Sequence, residues 1–316
     1  MAGSALRTKT ADTHEHWNDG VAAAIDAVGD AWSWLVLYEA CMRGITRFDG
    51  FQQHLGIARS TLTARLGALC SGGLLTKSGK DYLLTPAGRS FTLCLLMAMN
   101  WAERWEPTTG GPVLVVRHTG CGGLGGARMH CGKCGGEVAA KEVAFEAMPP
   151  SPAVTGPVRS RMPGLELLER TGPKAIARTL KVTGDRWSSL VLRGAFFGLH
   201  RFDEFERALG IAPNILSQRL GRLVELDVME RTPYLSRPQR HAYRLTERGL
   251  DLYPMYVAML SWGVAWTPAS PDGLKLRHLP CGQDLRPSVR CRACGQEVTP
   301  DDLSYLPGSD ARASAP

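Results

Sequence analysis

The sequence predicts a mainly helical α+β fold, laid down twice on one plan and closed each time by a small cysteine–histidine module. Three observations predict it. Short motifs recur in the same order at a nearly constant offset, the apolar periodicity inside each copy passes from helical to strand-like, and one His–Cys spacing ends both copies.

The repeat comes first because it organises the rest. Gly29-Asp30-Ala31-Trp32 returns as Gly184-Asp185-Arg186-Trp187, Arg47-Phe48-Asp49 as Arg201-Phe202-Asp203, and Leu55-Gly56-Ile57-Ala58 as Leu209-Gly210-Ile211-Ala212. Arg65-Leu66-Gly67 matches Arg219-Leu220-Gly221, Tyr82-Leu83-Leu84-Thr85 matches Tyr243-Arg244-Leu245-Thr246, and Trp101 and Trp105 match Trp262 and Trp266. The offset moves from 155 to 154 and then to 161, which places an insertion of seven residues in the second copy before Tyr243. Order and spacing persist over more than a hundred residues, so the chain is a duplication.

Within the second copy, Asp185 suits the N-cap of a helix whose apolar face uses Trp187, Leu190, Val191 and Ala195. Phe202, Phe205 and Leu209 mark a short second helix, and Pro213 suits the first turn of a third, with Ile215, Leu216, Leu220 and Leu223 inward. Val228 to Thr232 and His241 to Leu245 read as strands around a Pro- and Arg-rich loop, and Thr246 caps a long final helix reaching about Trp266. Three helices, a two-stranded wing and a helix make a winged helix-turn-helix. Pro149, Pro150, Pro152, Pro157 and Pro163 interrupt the stretch between the copies, which reads as a semi-extended linker. The expected organisation is a tail at 1–18, a winged helix at 19–110, a module at 111–146, the linker at 147–164, a second winged helix at 165–270, a second module at 271–306 and a tail at 307–316.

Composition narrows the function classes. The chain of 316 residues is 44% apolar and carries a formal charge of +7, compatible with an anionic partner. Residues 1–150 hold 14 Lys/Arg against 13 Asp/Glu, whereas residues 151–316 hold 23 against 17, so the excess sits in the second half. The apolar run Phe91 to Ala102 is shorter than the roughly 20 residues of a spanning helix, and the polar N-terminus has no signal-peptide core. A cytoplasmic location is expected, and no membrane partner. Six of nine cysteines fall in the two modules, which favours metal sites over a disulfide scaffold. No catalytic triad, phosphate loop, dinucleotide fingerprint or open three-ligand metal motif is evident, so an enzyme is not expected.

The set Gly-Asp-x-Trp, Arg-Phe-Asp-x-Phe, Leu-Gly-Ile, Leu-x-x-Arg-Leu and Tyr-x-Leu-Thr-x-x-Gly resembles the HxlR family of winged-helix regulators. The second copy, Pro173 to Trp266, keeps the pattern closely; the first, about Gly20 to Trp105, is more eroded. The resemblance implies bacterial, nucleoid-associated regulators that act as dimers and sense small molecules or oxidative stress. Many members carry a Cys-Pro pair before the first helix; Gly172-Pro173 and Asp19-Gly20 stand there instead, so a thiol switch at that place is not expected.

A helix-turn-helix presents the outward residues of its second helix to the major groove. In the second copy these are Asn214, Ser217, Gln218 and Arg222, with Arg219 on a flank as a phosphate contact or an ion-pair partner, and the wing adds Arg237, Arg240 and His241. Asn and Gln suit adenine edges and Arg suits guanine or phosphate. The first copy offers Ser60, Thr63 and Arg65 with Lys77 and Lys80 on a shorter wing, but Ala64 and Ala68 replace Gln218 and Arg222. The expectation is a double-stranded DNA reader led by the second copy. The first would be its partner in an intramolecular pseudo-dimer, open to further homodimer formation. Apolar stripes on the final helices (Leu93, Leu96, Met97, Trp101, Trp105 and Leu252, Met255, Met259, Trp262, Trp266) would join the copies and set the reading heads about 34 Å apart. A cleft among these tryptophans and methionines is a candidate site for a small apolar effector.

The modules repeat one pattern. His118-x2-Cys121-x9-Cys131-x2-Cys134 corresponds to His278-x2-Cys281-x9-Cys291-x2-Cys294, and Gly follows Cys121, Cys134, Cys281 and Cys294. Two ligand pairs joined by a short hairpin suit tetrahedral zinc, so two structural Cys3His zinc sites are expected, one per module. The alternative for His118 and His278 is a place behind the ligands with another residue completing the site, and His130 has no counterpart in the other copy. Cys41, Cys70 and Cys94 lie on helices and read as small buried apolar residues. The alternative function is a redox- or metal-responsive protein in which the modules carry the signal.

Overall fold

The computed structural model describes residues 19–107, 114–145, 174–236, 239–269 and 274–307. The linker at 147–164, the tail at 1–18, Arg237 and all of the last tail but Pro307 lie outside the described residues.

In the first copy Asp19 caps α1 (Gly20–Val28) by accepting from the Ala22 N–H at 2.9 Å, and Asp30 caps α2 (Ala31–Arg43) by accepting from the Trp32 N–H at 2.9 Å. Then come α3 (Phe48–Leu55), α4 (Arg59–Ser71), the wing strands β1 (Leu75–Ser78) and β2 (Asp81–Leu84), α5 (Pro86–Ser90) and α6 (Thr92–Trp105). The second copy repeats this as α7 (Lys174–Thr183), α8 (Arg186–Phe196), α9 (Phe202–Leu209), α10 (Pro213–Glu225), β6 (Met229–Ser236), β7 (Gln239–Leu245), α11 (Glu247–Leu250) and α12 (Tyr253–Trp266). The structure adds a leading helix to each copy, α1 and α7, ahead of the three read from the sequence. It also breaks the expected single closing helix at Asp251-Leu252. Pro254 has no N–H to return to Leu250, so it opens α12 instead of continuing α11.

Thr85 and Thr246 cap the short helices by accepting from the Gly88 and Gly249 N–H groups at 3.1 Å. Those glycines explain the end of the Tyr-x-Leu-Thr-x-x-Gly motif. A Cβ on Gly88 would lie 2.0 Å from the Leu74 carbonyl oxygen, and one on Gly249 would lie 2.2 Å from that of Val228.

The two copies share one core. Each leading helix packs on the closing helix of the other copy: α1 on α12 and α7 on α6, with α6 against α12. Helix α12 is apolar on nearly all sides and nine of its 14 residues are buried, as suits a central helix, with Ser261, Ala265 and Trp266 exposed. The tryptophans place their indole N–H groups across the seam: Trp101 donates to the Arg248 carbonyl, Trp105 to the Asp251 carboxylate and Trp262 to the Ala87 carbonyl, each at 2.8 Å. Ion pairs cross as well. Arg186 Nε donates to Asp26 at 2.6 Å, Arg104 meets Asp251 at 2.8 Å, and the fully buried Asp19 carboxylate accepts from Arg193. Among the described residues no single helix is long and apolar enough to cross a membrane.

The modules are interleaved. Strand β3 (Leu114–His118) pairs antiparallel with β11 (Leu303–Pro307), β4 (Ala127–Cys131) with β10 (Pro287–Cys291), and β5 (Val143–Phe145) with β8 (Leu276–His278), which also pairs with β9 (Gln283–Asp284). The first three pairings each join one copy to the other.

Candidate metal centres and nucleic-acid interface

The module strands bring all eight predicted ligands into two groups, but not the groups expected. His118 and Cys121 meet Cys291 and Cys294; Cys131 and Cys134 meet His278 and Cys281. The expectation that each module holds its own ion is corrected. Ligand spacing defines the two half-sites, His-x2-Cys and Cys-x2-Cys, and says nothing about which partner half each one finds. Strand pairing decides that. The registers Pro287↔Cys131 and Cys291↔Ala127 lay the end of one copy's β4 beside the other copy's β10.

The geometry fits a tetrahedral ion. With metal–sulfur bonds near 2.3 Å and metal–nitrogen bonds near 2.0–2.1 Å, ligand atoms should stand about 3.8 Å apart for S···S and about 3.6 Å for S···N. Cys121 Sγ lies 3.8 Å from Cys291 Sγ. His118 Nδ1 lies 3.2 Å from Cys121 Sγ and 3.4 Å from Cys294 Sγ, and His278 Nδ1 lies 3.3 Å from Cys134 Sγ and 3.4 Å from Cys281 Sγ. Both histidines therefore present Nδ1 to the clustered sulfurs, and both are buried. His130 instead places its Nδ1 3.0 Å from the Gly135 carbonyl.

Backbone N–H groups turn toward the sulfurs: Gly123 to Cys121 at 3.3 Å, Gly136 to Cys134 at 3.4 Å and Ala293 to Cys291 at 3.4 Å. The glycine directly after each of Cys121, Cys134, Cys281 and Cys294 adopts φ between 67° and 77°, a left-handed turn that at Cys121 and Cys134 aims the next amide back at the thiol. Burial acts to raise the Cys131 and Cys291 thiols. Backbone hydrogen bonds at Cys134, Lys133 and Arg286 outweigh it for the first, and those at Cys294 and Ala293 for the second, so both thiols fall below the ordinary range. Cysteine–histidine sets of this kind, satisfied by N–H donors, suit a thiophilic divalent cation.

On the helix-turn-helix side, Asn214, Ser217 and Gln218 are exposed along α10, as are Ser60 and Thr63 along α4. Thr63 returns its hydroxyl to the Arg59 carbonyl at 2.9 Å. Lys77 and Lys80 are exposed on the first wing, with the Lys77 ammonium 5.6 Å from the Tyr82 ring centre. Arg240 is exposed and His241 half-buried on the second wing.

Three arginines are held differently. Arg219 Nε donates to the cap Asp185 at 2.9 Å, and Arg65 Nε lies 3.0 Å from the cap Asp30. The same device in both copies ties the second helix of the helix-turn-helix, α4 or α10, to the helix beneath it. Burial pushes the Asp30 carboxyl up, with Arg65 pulling it partly back. Arg222, half-buried, donates to the Lys181 carbonyl at 3.1 Å. Exposed cations absent from the predicted set include Arg59 at the start of α4, Arg231 on β6 and Arg244 on β7. Position within the first turn of the helix and on the wing was the signal that could have found them.

Comparison with known proteins decides the family. The HxlR-like helix-turn-helix family matches residues 27–109 and 182–271, once per copy and over more than half of the chain. The chain belongs to that family.

Membership places this HxlR-like protein among helix-turn-helix transcriptional regulators rather than enzymes. An uncharacterized HTH-type transcriptional regulator of Mycobacterium tuberculosis is 43% identical over 150 residues, which is 47% of this chain and 94% of that protein. That relative is thus about half as long, one copy to this protein's two. The HTH-type transcriptional regulator YodB of Bacillus subtilis is 30% identical over 80 residues, 25% of this chain and 71% of its own. A solved structure of a transcription factor from Pseudomonas aeruginosa is 35% identical and covers 42% of this chain and 86% of its own, with a TM-score of 0.30.

In this HxlR-like protein Asp19 occupies the place where the family resemblance led one to look for a cysteine, and there it caps α1 and holds Arg193. Burial pushes the Cys41 thiol up to about 11 and raises Cys94 further. The cleft expected among tryptophans and methionines does contain Met97, Trp101 and Met129, but Glu103, Arg104, Arg128, Glu137, Lys141 and Glu247 also line it, so it is not an apolar site.

Proposed function

We propose that this protein binds an operator in double-stranded DNA chiefly through α10, with the first copy serving as its fixed partner, so that one chain supplies both halves of a dimeric regulator. The observation that carries the reading is the contrast between matched helices. Asn214, Ser217 and Gln218 stand exposed on α10 with hydrogen-bonding side chains, while Ala64 stands where Gln218 does and Ala68 where Arg222 does. A good bidentate base contact is worth about 1–3 kcal/mol, and alanine supplies none. Arg240, His241 and the exposed Arg231 extend the positive face along the longer wing, where counterion release adds affinity without sequence choice. Arg65 and Arg219 serve mainly to seat the helices, since both engage buried aspartates.

Zinc in both clusters completes the proposal, with His118, Cys121, Cys291 and Cys294 holding one ion and Cys131, Cys134, His278 and Cys281 the other. Genome-wide pull-down with the purified chain identifies the operator. Gel-shift titration then compares Asn214→Ala with Gln218→Ala against Ser60→Ala with Thr63→Ala. The first pair should lose tenfold or more in specific affinity and the second little. Equal losses would overturn the assignment of the second copy as main reader.

One observation favours a second reading, that the clusters themselves sense oxidants or metal supply. Cys121, Cys134 and Cys294 are exposed, so oxidants can reach a thiolate in each cluster. Peroxide-driven zinc release accompanied by a change in DNA affinity would support it; release without such a change would refute it.

A further inference from the structure

We propose that the cavity beneath the second copy's wing is a binding site for a neutral aromatic molecule of one or two rings carrying a single hydrogen-bonding oxygen. The cavity holds about 100 Å3 of space and opens to solvent on one side, the scale of apolar cavities that take a single aromatic ring, with room for a second ring toward the mouth. Its walls include Phe196 and Phe197 at the end of α8, Tyr253 on α12, Leu245 at the end of β7, and Phe145 and Leu276 on β5 and β8. This lining favours flat apolar groups that can meet ring edges and faces. Arg193 also reaches the wall, but its charge is met by the buried Asp19 carboxylate, so an ionic ligand finds no excess charge to bind.

The polar requirement comes from Tyr253. Its side chain is 9% exposed, and its hydroxyl makes no hydrogen bond among the described residues. Burial alone raises this phenol, with no neighbour offsetting it. The hydroxyl is not sealed off but keeps contact with the open cavity, where a ligand oxygen would pair with it. Apart from Phe145, the aromatic lining named here belongs to the second copy: Cys41, Met42 and Thr92 stand where Phe196, Phe197 and Tyr253 do.

The site is also placed to matter. Leu245 ends the wing strand, and Val143, in the same wall, pairs with the metal ligand His278. An occupant therefore touches the wing, the central helix and a module strand at once. The proposal stands apart from which copy reads DNA and does not depend on it.

The test titrates 2-naphthol and naphthalene into the full chain, following ligand fluorescence and heat of binding. Saturable binding of one molecule per chain is expected. Ala195→Leu, which fills the cavity, should weaken both probes at least tenfold. Tyr253→Phe should weaken 2-naphthol about tenfold and leave naphthalene within twofold, because only the former uses the hydroxyl. Thermal melts of both variants confirm folding. Absence of saturable binding, indifference to Ala195→Leu, or equal weakening of both probes by Tyr253→Phe would each overturn the proposal.

Discussion

Two double variants separate an ion held inside one module from an ion held between copies. Cys121→Ser with Cys294→Ser removes one thiol from each copy, yet both thiols belong to the same cluster. Zinc content should fall from about two per chain to about one. Cys121→Ser with Cys134→Ser takes both thiols from one copy but strikes both clusters, and zinc should fall to nearly none. The two variants should also differ in stability. The surviving cluster of the first variant still joins Cys134 to His278 across 144 residues. Cross-linking a loop of that length restrains the unfolded chain by about 5 kcal/mol, against about 3 kcal/mol for a loop the size of a single module's own ligand hairpin. A 5 kcal/mol difference corresponds to roughly 7–8 °C in a chain of 316 residues, so the second variant should melt about that far below the first. Zinc is read by mass spectrometry of the digested protein, stability by calorimetry with and without chelator. The opposite pattern, with the Cys121/Cys294 variant losing both ions, would refute cross-copy ligation.

Further expectations concern the seam and the thiols. Arg193→Met leaves the Asp19 carboxylate buried and unpaired, since the two side chains are 3% and 0% exposed. It should cost about 3–5 kcal/mol in urea unfolding, most of it recovered when Asp19→Asn is added. A Cβ on Gly263 would fall 1.8 Å from the Gly20 carbonyl oxygen, whereas one on Gly221 meets nothing within 4 Å. Gly263→Ala should therefore lower the melting temperature by several degrees, and Gly221→Ala on the exposed face of α10 should leave it unchanged or slightly higher. The Cys41 thiol, held near 11 against an ordinary 9.0 by burial, favours the neutral form in the fold. Its contribution is complete below pH 9 and lost as pH rises through 11, up to about 3 kcal/mol. Cys41→Ala should flatten that part of the pH–stability curve, and Cys41 and Cys94 should resist alkylation at pH 8 until the chain unfolds.

The winged helices were legible because their signals are local. The cap aspartates, Pro213 and the apolar period each act within a turn or two, and the repeat let one copy check the other. The leading helices α1 and α7 escaped because their apolar faces are completed by the other copy's closing helix rather than by their own domain. The eight ligands were legible for the same local reason. Their grouping was not, because a Cys-x2-Cys half-site is chemically identical whichever His-x2-Cys half completes it, and the choice rests on β4–β10 pairing across 156 residues of chain between Cys131 and Pro287. Arg65, Arg219 and Arg222 show the reverse limit. Residue type suited phosphate, but the buried caps Asp30 and Asp185 and the Lys181 carbonyl lie near enough to engage them.

The threading of strands between the modules bears on how the chain is made. When the first half leaves the ribosome, β3, β4 and β5 lack their partner strands from the second copy and each cluster has only two of its four donors. The remaining residues follow at roughly 5–20 per second, so this half must wait some ten to thirty seconds for its complement. Once threaded, the halves are fastened by three strand pairings, two four-ligand clusters and the tryptophan seam, and the peptide joining them becomes mechanically redundant. A protease cut between Phe145 and Lys174 would leave two fragments that still migrate as one particle, parting only when the metal is stripped and the seam is unfolded.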